Sequence, residues 1–386
     1  MIPRTLELPL RQAATQQPVV VVTGPRQSGK TTLCRATFSD RPYISLEPLD
    51  QREFAKRDPR AFLASVQGGA VLDEIQRVPE LLPYIQTEVD QDPQPGRFIL
   101  TGSQNLLLLE AVTQSLAGRA ALFELLPLSH EELTNAGTAP ATPFEAIIQG
   151  GYPRIHDRGL DASTWLTDYV ATYVERDVRQ VLNVGDLLAF QTFLGLAAGR
   201  AGQLLNLSGL GSDSGISQPT ARKWISVLEA TYVAWRLPTL HGNLRKRLVK
   251  TPKLYFHDSG LHCRLLGIRS ADELSTHPLR GAIFENWVIS ELMKWHRHRA
   301  LPLRMSFYRD NPGLEVDVIM EAGRTTHAIE IKSGSTLASD FFDNLRAFGE
   351  IRADCQNTLI YGGARREERS AGLALPWNQV HTVDWN

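Results

Sequence analysis

Eight residues near the amino end, Gly24-Pro25-Arg26-Gln27-Ser28-Gly29-Lys30-Thr31, fit the spacing G-x-x-x-x-G-K-[ST]. No other feature constrains this chain as strongly. Pro18-Val19-Val20-Val21-Val22-Thr23 reads as a short buried strand, and Thr32-Leu33-Cys34-Arg35-Ala36 can open a helix. A strand, a glycine-rich loop and a helix in that order aim backbone N–H groups and a helix N-terminus at an anion. The pattern predicts a cradle for ATP or ADP made by Gly24, Pro25, Arg26, Gln27, Ser28, Gly29, Lys30, Thr31 and Thr32. In it, Lys30 reaches the β- and γ-phosphates and the Thr31 hydroxyl holds Mg²⁺.

The length of 386 residues predicts two to three domains. A net charge of −1, with 42% hydrophobic and 22% charged residues, gives the whole molecule no pull toward polyanions, so any nucleic-acid contact must come from a local patch. Cys34, Cys263 and Cys355 are scattered and odd in number. They offer neither metal spacing nor a disulfide framework and suit a reducing, cytoplasmic setting. Met1-Ile2-Pro3-Arg4-Thr5-Leu6-Glu7 lacks the apolar core of a signal peptide. No apolar run reaches the roughly 18–20 residues of a membrane span, so no membrane association is expected.

Ala70-Val71-Leu72-Asp73-Glu74 is a second strand-like run, ending in two acids. An acid at such a strand end, beside a phosphate loop, holds the magnesium shell. Asp73 is assigned that role, and Glu74 is placed to polarise the attacking water. Arg97-Phe98-Ile99-Leu100-Thr101-Gly102-Ser103-Gln104 reads as a third strand, followed by a helix from Asn105 to Leu116, then Ala117-Gly118-Arg119, then an apolar run from Ala120 to Leu126.

With these strings in order, the chain resembles the AAA+ superfamily ATPases of the prokaryotic type whose carboxy-terminal half is called DUF4143. Further residues carrying the resemblance are Leu126-Pro127-Leu128-Ser129, Gly150-Gly151-Tyr152-Pro153, Tyr173-Val174-Glu175-Arg176-Asp177 and Phe284-Glu285-Asn286. The resemblance implies ATP hydrolysis on a P-loop core. It implies a polar sensor at Ser103, with Gln104 second, and an arginine finger at Arg119 acting in a ring or other homo-oligomer. A surface salt bridge is the other reading of Arg119. Residues 131–186 would be a helical lid, in which Tyr169, Tyr173, Val174 and Val178 share a face. Arg154 would be either a lid sensor or a structural arginine.

The next segment predicts a winged helix-turn-helix over 187–256. Phe190 to Arg200 and Leu204 to Leu210 read as helices, Gly211 to Ile216 as the turn, and Gln218 to Ala230 as a third helix capped by Ser217. That helix buries Ala221, Trp224, Ile225 and Leu228 and leaves Arg222 and Lys223 to face a groove. Two strand-like runs, Tyr232 to Leu237 and Leu248 to Phe256, flank a basic wing. From Ala230 to His257 there is no Asp or Glu, while Arg236, Arg245, Lys246, Arg247, Lys250 and Lys253 all fall there. Such a patch can grip DNA phosphates.

In the last segment, 257–386, Leu314 to Met320 and Ala328 to Lys332 alternate apolar and polar residues around a turn, which predicts a hairpin. Side-chain alternation puts Glu315 with Asp317 on one strand and Glu330 with Lys332 on the other, while Glu285 lies in a helical run. Helix Glu, strand Asp and a following Glu-x-Lys resemble the PD-(D/E)XK nuclease fold. The resemblance implies Mg²⁺ or Mn²⁺ on Asp317 and Glu330, and Lys332 orienting water or neutralising charge. A decayed site serving as scaffold or DNA surface is the alternative. The full expectation is an α/β chain: an AAA+ core over 1–130, a lid, a winged helix and a nuclease-like domain, acting on DNA with ATP. The rival is a STAND-like regulatory switch that recruits a protein partner.

Overall fold

The computed structural model describes residues 1–103, 112, 114–174, 187–240, 249–323, 325–352 and 354–386, without the side chains of 173 and 174. Gln104, most of the helix expected from Asn105, the residues Glu175, Arg176, Asp177 and Val178, and Arg245, Lys246 and Arg247 lie outside the described residues. The chain divides into two compact units. One is Met1–Leu128 with the short segments Ala230–Tyr232 and Arg297–Ala300, and the other is the remainder from Ser129.

In the first unit, a run of β-branched valines, stiff at χ1, suits a pleated strand. It forms β1 (Val19–Thr23), buried at every position. β2 (Tyr43–Ser45), β3 (Ala70–Asp73), β4 (Phe98–Gly102) and β5 (Ala120–Glu124) complete a sheet of order β2-β3-β4-β1-β5. All neighbouring strands are parallel. Side chains alternate between two apolar cores, Val19, Val21, Leu72 and Leu100 in one and Val20, Val22, Val71 and Ile99 in the other. Coverage on both faces explains why these strands read as continuous apolar runs. Parallel strands also bring the loops after β1, β3 and β4 to one edge, where open α/β sheets bind ligands. Gly24 enters the loop after β1 at φ +145°, and a Cβ there would lie 2.2 Å from the Leu125 carbonyl oxygen. Only glycine passes this point.

The second unit begins with helices His130–Asn135, Pro143–Gln149, Pro153–Arg158 and Ala162–Tyr169. Helices Leu187–Ala198, Leu207–Asp213 and Gln218–Ala230 follow, then the antiparallel pair β6 (Ala234–Leu237) and β7 (Lys253–Phe256). The second of these three helices starts later than the sequence pattern suggests, because Asn206 caps it through Gly209 N at 3.0 Å. Gly211, expected in the turn, is therefore a buried helical residue. The strand expected from Tyr232 starts at Ala234, since Tyr232 sits at φ 58°.

One apolar core runs from Tyr152 through Tyr169, Phe190, Trp224 and Leu254 to Leu261. Positions 186/187 and 256/257, expected as boundaries, lie within its span. Buried Asp258 shows how the segments are tied. Its Oδ2 accepts from Gly151 N at 2.7 Å, and its Oδ1 from Leu261 N at 2.9 Å, capping the Ser259–Leu265 helix.

The long helix Arg280–Arg297 precedes a six-stranded sheet of order β12-β13-β11-β10-β9-β8. Its strands are β8 (Met305–Arg309), β9 (Glu315–Ala322), β10 (Thr325–Lys332), β11 (Cys355–Tyr361), β12 (Glu367–Arg369) and β13 (Gly372–Pro376). β9 and β10 pair as the expected hairpin, and β10 pairs parallel with β11. The helix Asp343–Ile351 packs Leu345 and Phe348 on Tyr308, Val316, Ala328 and Leu359.

Replacing Asp258 removes a helix cap and leaves the buried Gly151 N–H unpaired. Asp258→Ala is expected to destabilise the second unit by about 2–4 kcal/mol, with a smaller loss for Asp258→Asn. Denaturant titration followed by tryptophan fluorescence measures it, because Trp224 belongs to the same core.

Candidate functional site

The phosphate loop is held open by its own chain. The Arg4 guanidinium donates to the Ser28 and Leu126 carbonyls, both at 2.7 Å. Gln27 at φ 63° and Gly29 at φ 94° turn the loop through the left-handed region, a conformation that persists where the surroundings enforce it. The helix Lys30–Thr37 starts without a side-chain cap, so its first N–H groups remain open to an anion. Buried Lys30 donates through Nζ to Gly24 O at 3.0 Å and Pro25 O at 2.7 Å. Burial pulls its pKa down to about 8, against the opposing pull of Glu74 and Asp73. Ser28 Oγ is buried with no hydrogen-bond partner among the described residues.

Three hydroxyls converge on the Asp73 carboxylate. Thr31 Oγ1 lies 2.9 and 3.1 Å from its two oxygens, Tyr43 OH donates at 2.8 Å, and Thr101 Oγ1 also bonds to it. Glu74 follows at φ 61°. Gln76 Nε2 donates both to Glu74 Oε2 at 2.5 Å and to Ser103 Oγ at 3.1 Å. The structure thus brings Thr31, Asp73, Glu74 and Ser103 together at the carboxyl edge of the sheet. Tyr43, Thr101 and Gln76 complete the site and went unassigned in the sequence reading. Their signal was strand adjacency, which needs the order β2-β3-β4 and is absent from local spacing. Tyr232 was also missed: its OH donates to Thr23 Oγ1, one residue before Gly24, at 2.8 Å.

Arg119 stands elsewhere. It precedes β5, whose Ala120 is level with Val19 at the start of β1, so it lies at the sheet edge away from Gly24 of its own chain. Its guanidinium forms two bonds to Asp90, at 2.5 and 2.9 Å. Within this chain, Arg119 shows the salt-bridge reading.

The residues around the loop fit a nucleotide triphosphate with Mg²⁺. An uncapped helix start, a buried ammonium and an orphan hydroxyl suit phosphate oxygens. The Thr31 hydroxyl beside the Asp73 carboxylate suits a hard cation. Such an ion, when bound, would neutralise charge on the phosphates.

The carboxy-terminal acids form a second, buried cluster. Tyr255 OH donates to Glu285 Oε1, and Lys253 Nζ lies 3.5 Å from the same oxygen and 2.5 Å from Glu315 Oε1. Asp317 Oδ2 accepts from Ile331 N at 2.8 Å. Lys332 Nζ donates to Glu330 Oε1 at 2.6 Å. Burial first, and then the neighbouring Asp317 carboxylate, push Glu285 and Glu330 up to about 7. Burial likewise raises Asp317. Glu285, Asp317, Glu330 and Lys332 are therefore one electrostatic group, as the alternation pattern suggests. Among the described residues, however, no three acid, imidazole or thiol groups are placed to hold a metal ion. With the Ile331 N–H on Asp317 and the Lys332 ammonium on Glu330, the two acids to which the nuclease resemblance assigns a metal are engaged by donors of the chain itself.

The expected basic patch is smaller than its sequence count. Arg222 and Lys223 are exposed on the Gln218–Ala230 helix, and Lys250 is exposed before β7. Arg236, by contrast, is paired with Glu229 at 2.6 and 2.7 Å. Lys253 is turned inward, 2% exposed. Both belong to the six-cation stretch from Ala230 to His257, and tertiary partners remove them from the patch.

Residues 16–134 match the AAA domain family, residues 142–272 match the domain of unknown function DUF8612, and residues 280–380 match DUF4143. The Walker-type ATPase paby2304 of Pyrococcus abyssi aligns over 69% of this chain and 96% of its own, at 16% identity and a TM-score of 0.45. A STAND protein with a tetratricopeptide repeat sensor from Pyrococcus horikoshii aligns over 77% of this chain and 47% of its own, at 13% identity and a TM-score of 0.24. Uncharacterized protein Rv2008c of Mycobacterium tuberculosis and uncharacterized protein Mb2031c of Mycobacterium bovis are each 32% identical over 97% of this chain and 83% of their own length. The chain belongs to the same family as these mycobacterial proteins, and it is an AAA-type ATPase with a carboxy-terminal DUF4143 region.

Proposed function

We propose that this ATPase couples ATP hydrolysis to the engagement of DNA by its carboxy-terminal half. The observation that carries the DNA reading is the Gln218–Ala230 helix. It buries Ala221, Trp224, Ile225 and Leu228 and presents Arg222 and Lys223 to solvent. It is third in a helix-helix-helix-strand-strand order that supports a winged helix-turn-helix, with Lys250 in its wing. Exposed cations on such a motif contact phosphates without reading bases.

In the hydrolytic half, Lys30 binds the β- and γ-phosphates. Thr31 and Asp73 would hold Mg²⁺, and Glu74 would accept a proton from the attacking water. Ser103 contacts the terminal phosphate or that water. Hydrolysis splits the bond between the β- and γ-phosphoryl groups and yields ADP and phosphate. Arg119 would serve a neighbouring copy in a homo-oligomer only by leaving Asp90.

The run of helix, β8, β9, β10, helix and β11 supports a PD-(D/E)XK-like fold for the last quarter. A second reading is a regulatory switch in which that quarter is a scaffold for a protein partner. The inward-turned Lys253 favours it over strand cleavage, because it supplies an internal counter-charge to the acids.

Lys30→Ala is expected to abolish ATP turnover while leaving the melting temperature within a few degrees of the parent. Persistent turnover in a malachite-green phosphate assay would sink the nucleotide assignment. The pH dependence follows from the depressed Lys30 pKa. Free protein loses this proton as pH rises through about 8, whereas phosphate oxygens retain it in the complex. Apparent ATP affinity should therefore be flat below that pH and fall above it, by at most about tenfold per unit, as read by a fluorescent-nucleotide titration. Arg222→Ala with Lys223→Ala should weaken duplex DNA binding for all sequences alike and lower the salt slope by about one per charge removed. An unchanged slope in fluorescence anisotropy, or no binding by the parent chain, would favour the protein-partner switch.

A further inference from the structure

We propose that the Lys253 ammonium serves the carboxylate cluster as its counter-ion in place of a divalent cation, so that the acids are compensated from within the chain and take up no Mg²⁺ or Mn²⁺. This inference rests on the nuclease-like reading of the last quarter but not on what that half engages. It rests on where the charges are. Glu285, Glu315, Asp317 and Glu330 face Lys253, Arg309 and Lys332. Lys253 Nζ bridges Glu285 and Glu315 at 3.5 and 2.5 Å, Arg309 reaches the other Glu315 oxygen at 3.1 Å, and Lys332 holds Glu330 at 2.6 Å. Four acids thus meet three cations, of which only Lys253 is buried.

Lys253 cannot simply swing aside. Its backbone is fixed in β7 opposite Leu237, and its side chain is 3% exposed, with Nζ 5.3 Å from the centre of the Phe307 ring. Tyr255, two residues on and hence on the same face of the strand, reinforces the lock by donating to Glu285. One Asp317 oxygen, Oδ2, accepts from the Ile331 N–H. Mg²⁺ needs close to octahedral oxygen coordination and retains several waters. An ammonium seated between two of the acids denies it both the charge and the space. The lock also joins segments far apart in sequence, because β7 supplies the cation while the Arg280–Arg297 helix and β9 supply the anions.

The test uses the full chain without nucleotide, titrated with Mn²⁺ while free Mn²⁺ is read by electron paramagnetic resonance. The wild type and Asp317→Asn are expected to give superimposable curves, with no tight Mn²⁺ assignable to the acids. Lys253→Met should gain one Mn²⁺ per chain, and its melting temperature should rise with Mn²⁺. Adding Asp317→Asn to it should remove both effects. Lys253→Arg, which keeps the charge, should bind no more than wild type. A wild-type Mn²⁺ site that Asp317→Asn abolishes overturns the proposal, and so does a folded Lys253→Met that gains none. A Lys253→Met chain that folds only with Mn²⁺ supports it. Should that variant never fold, the comparison of wild type with Asp317→Asn decides.

Discussion

The Asp73 carboxylate organises the amino-terminal unit. Hydroxyls from Thr31 on the helix after the phosphate loop, Tyr43 on β2 and Thr101 on β4 all bond to it. A buried carboxylate is tolerated only when such donors satisfy it. Satisfying it from three elements fixes the distance between the phosphate loop and the strand ends. The water-polarising candidate Glu74 is then aimed by one backbone departure, its left-handed φ, and by the Gln76 amide that also reaches Ser103. Hydrolytic geometry in this unit is therefore a property of the sheet order, which brings β2, β3 and β4 side by side.

The second unit depends on buried polar ties of a different kind. Asp258 links the Gly150–Gly151 turn to the Ser259–Leu265 helix, and Lys253 links β7 to the Arg280–Arg297 helix and β9. Each joins stretches that read separately in sequence. Removing one member of such a tie leaves a buried group uncompensated, a heavy cost in a low-dielectric interior. The Lys253 tie also sets an ammonium against two of the acids.

Local signals carried a large part of the architecture. The valine run, the glycine spacing and the two-acid strand end located the phosphate loop and Asp73 with Glu74. Period-2 alternation located the β9–β10 hairpin and put Glu330 and Lys332 on one face. Boundaries were less legible where a single residue decided them: Asn206 delayed one helix, and the left-handed Tyr232 delayed β6. Cations were the least legible feature. Arg236 and Lys253 look alike in sequence, as cations in a stretch without acids, yet one lies on the surface beside Glu229 and the other sits inside among Glu285 and Glu315.

Residue type and spacing by themselves determined that this chain would build an anion cradle at Gly24–Thr31, a parallel strand core behind it and an acid-bearing hairpin near the other end. They did so because strand and loop preferences act over a few neighbours. Only the tertiary structure decided which side chains meet: Tyr43 and Thr101 on Asp73, Gln76 between Glu74 and Ser103, Asp90 on Arg119, and Lys253 within the acids. Those encounters depend on strand order and on which partners compete for a charge, and Coulomb attraction between residues tens of positions apart leaves no periodic trace in the chain.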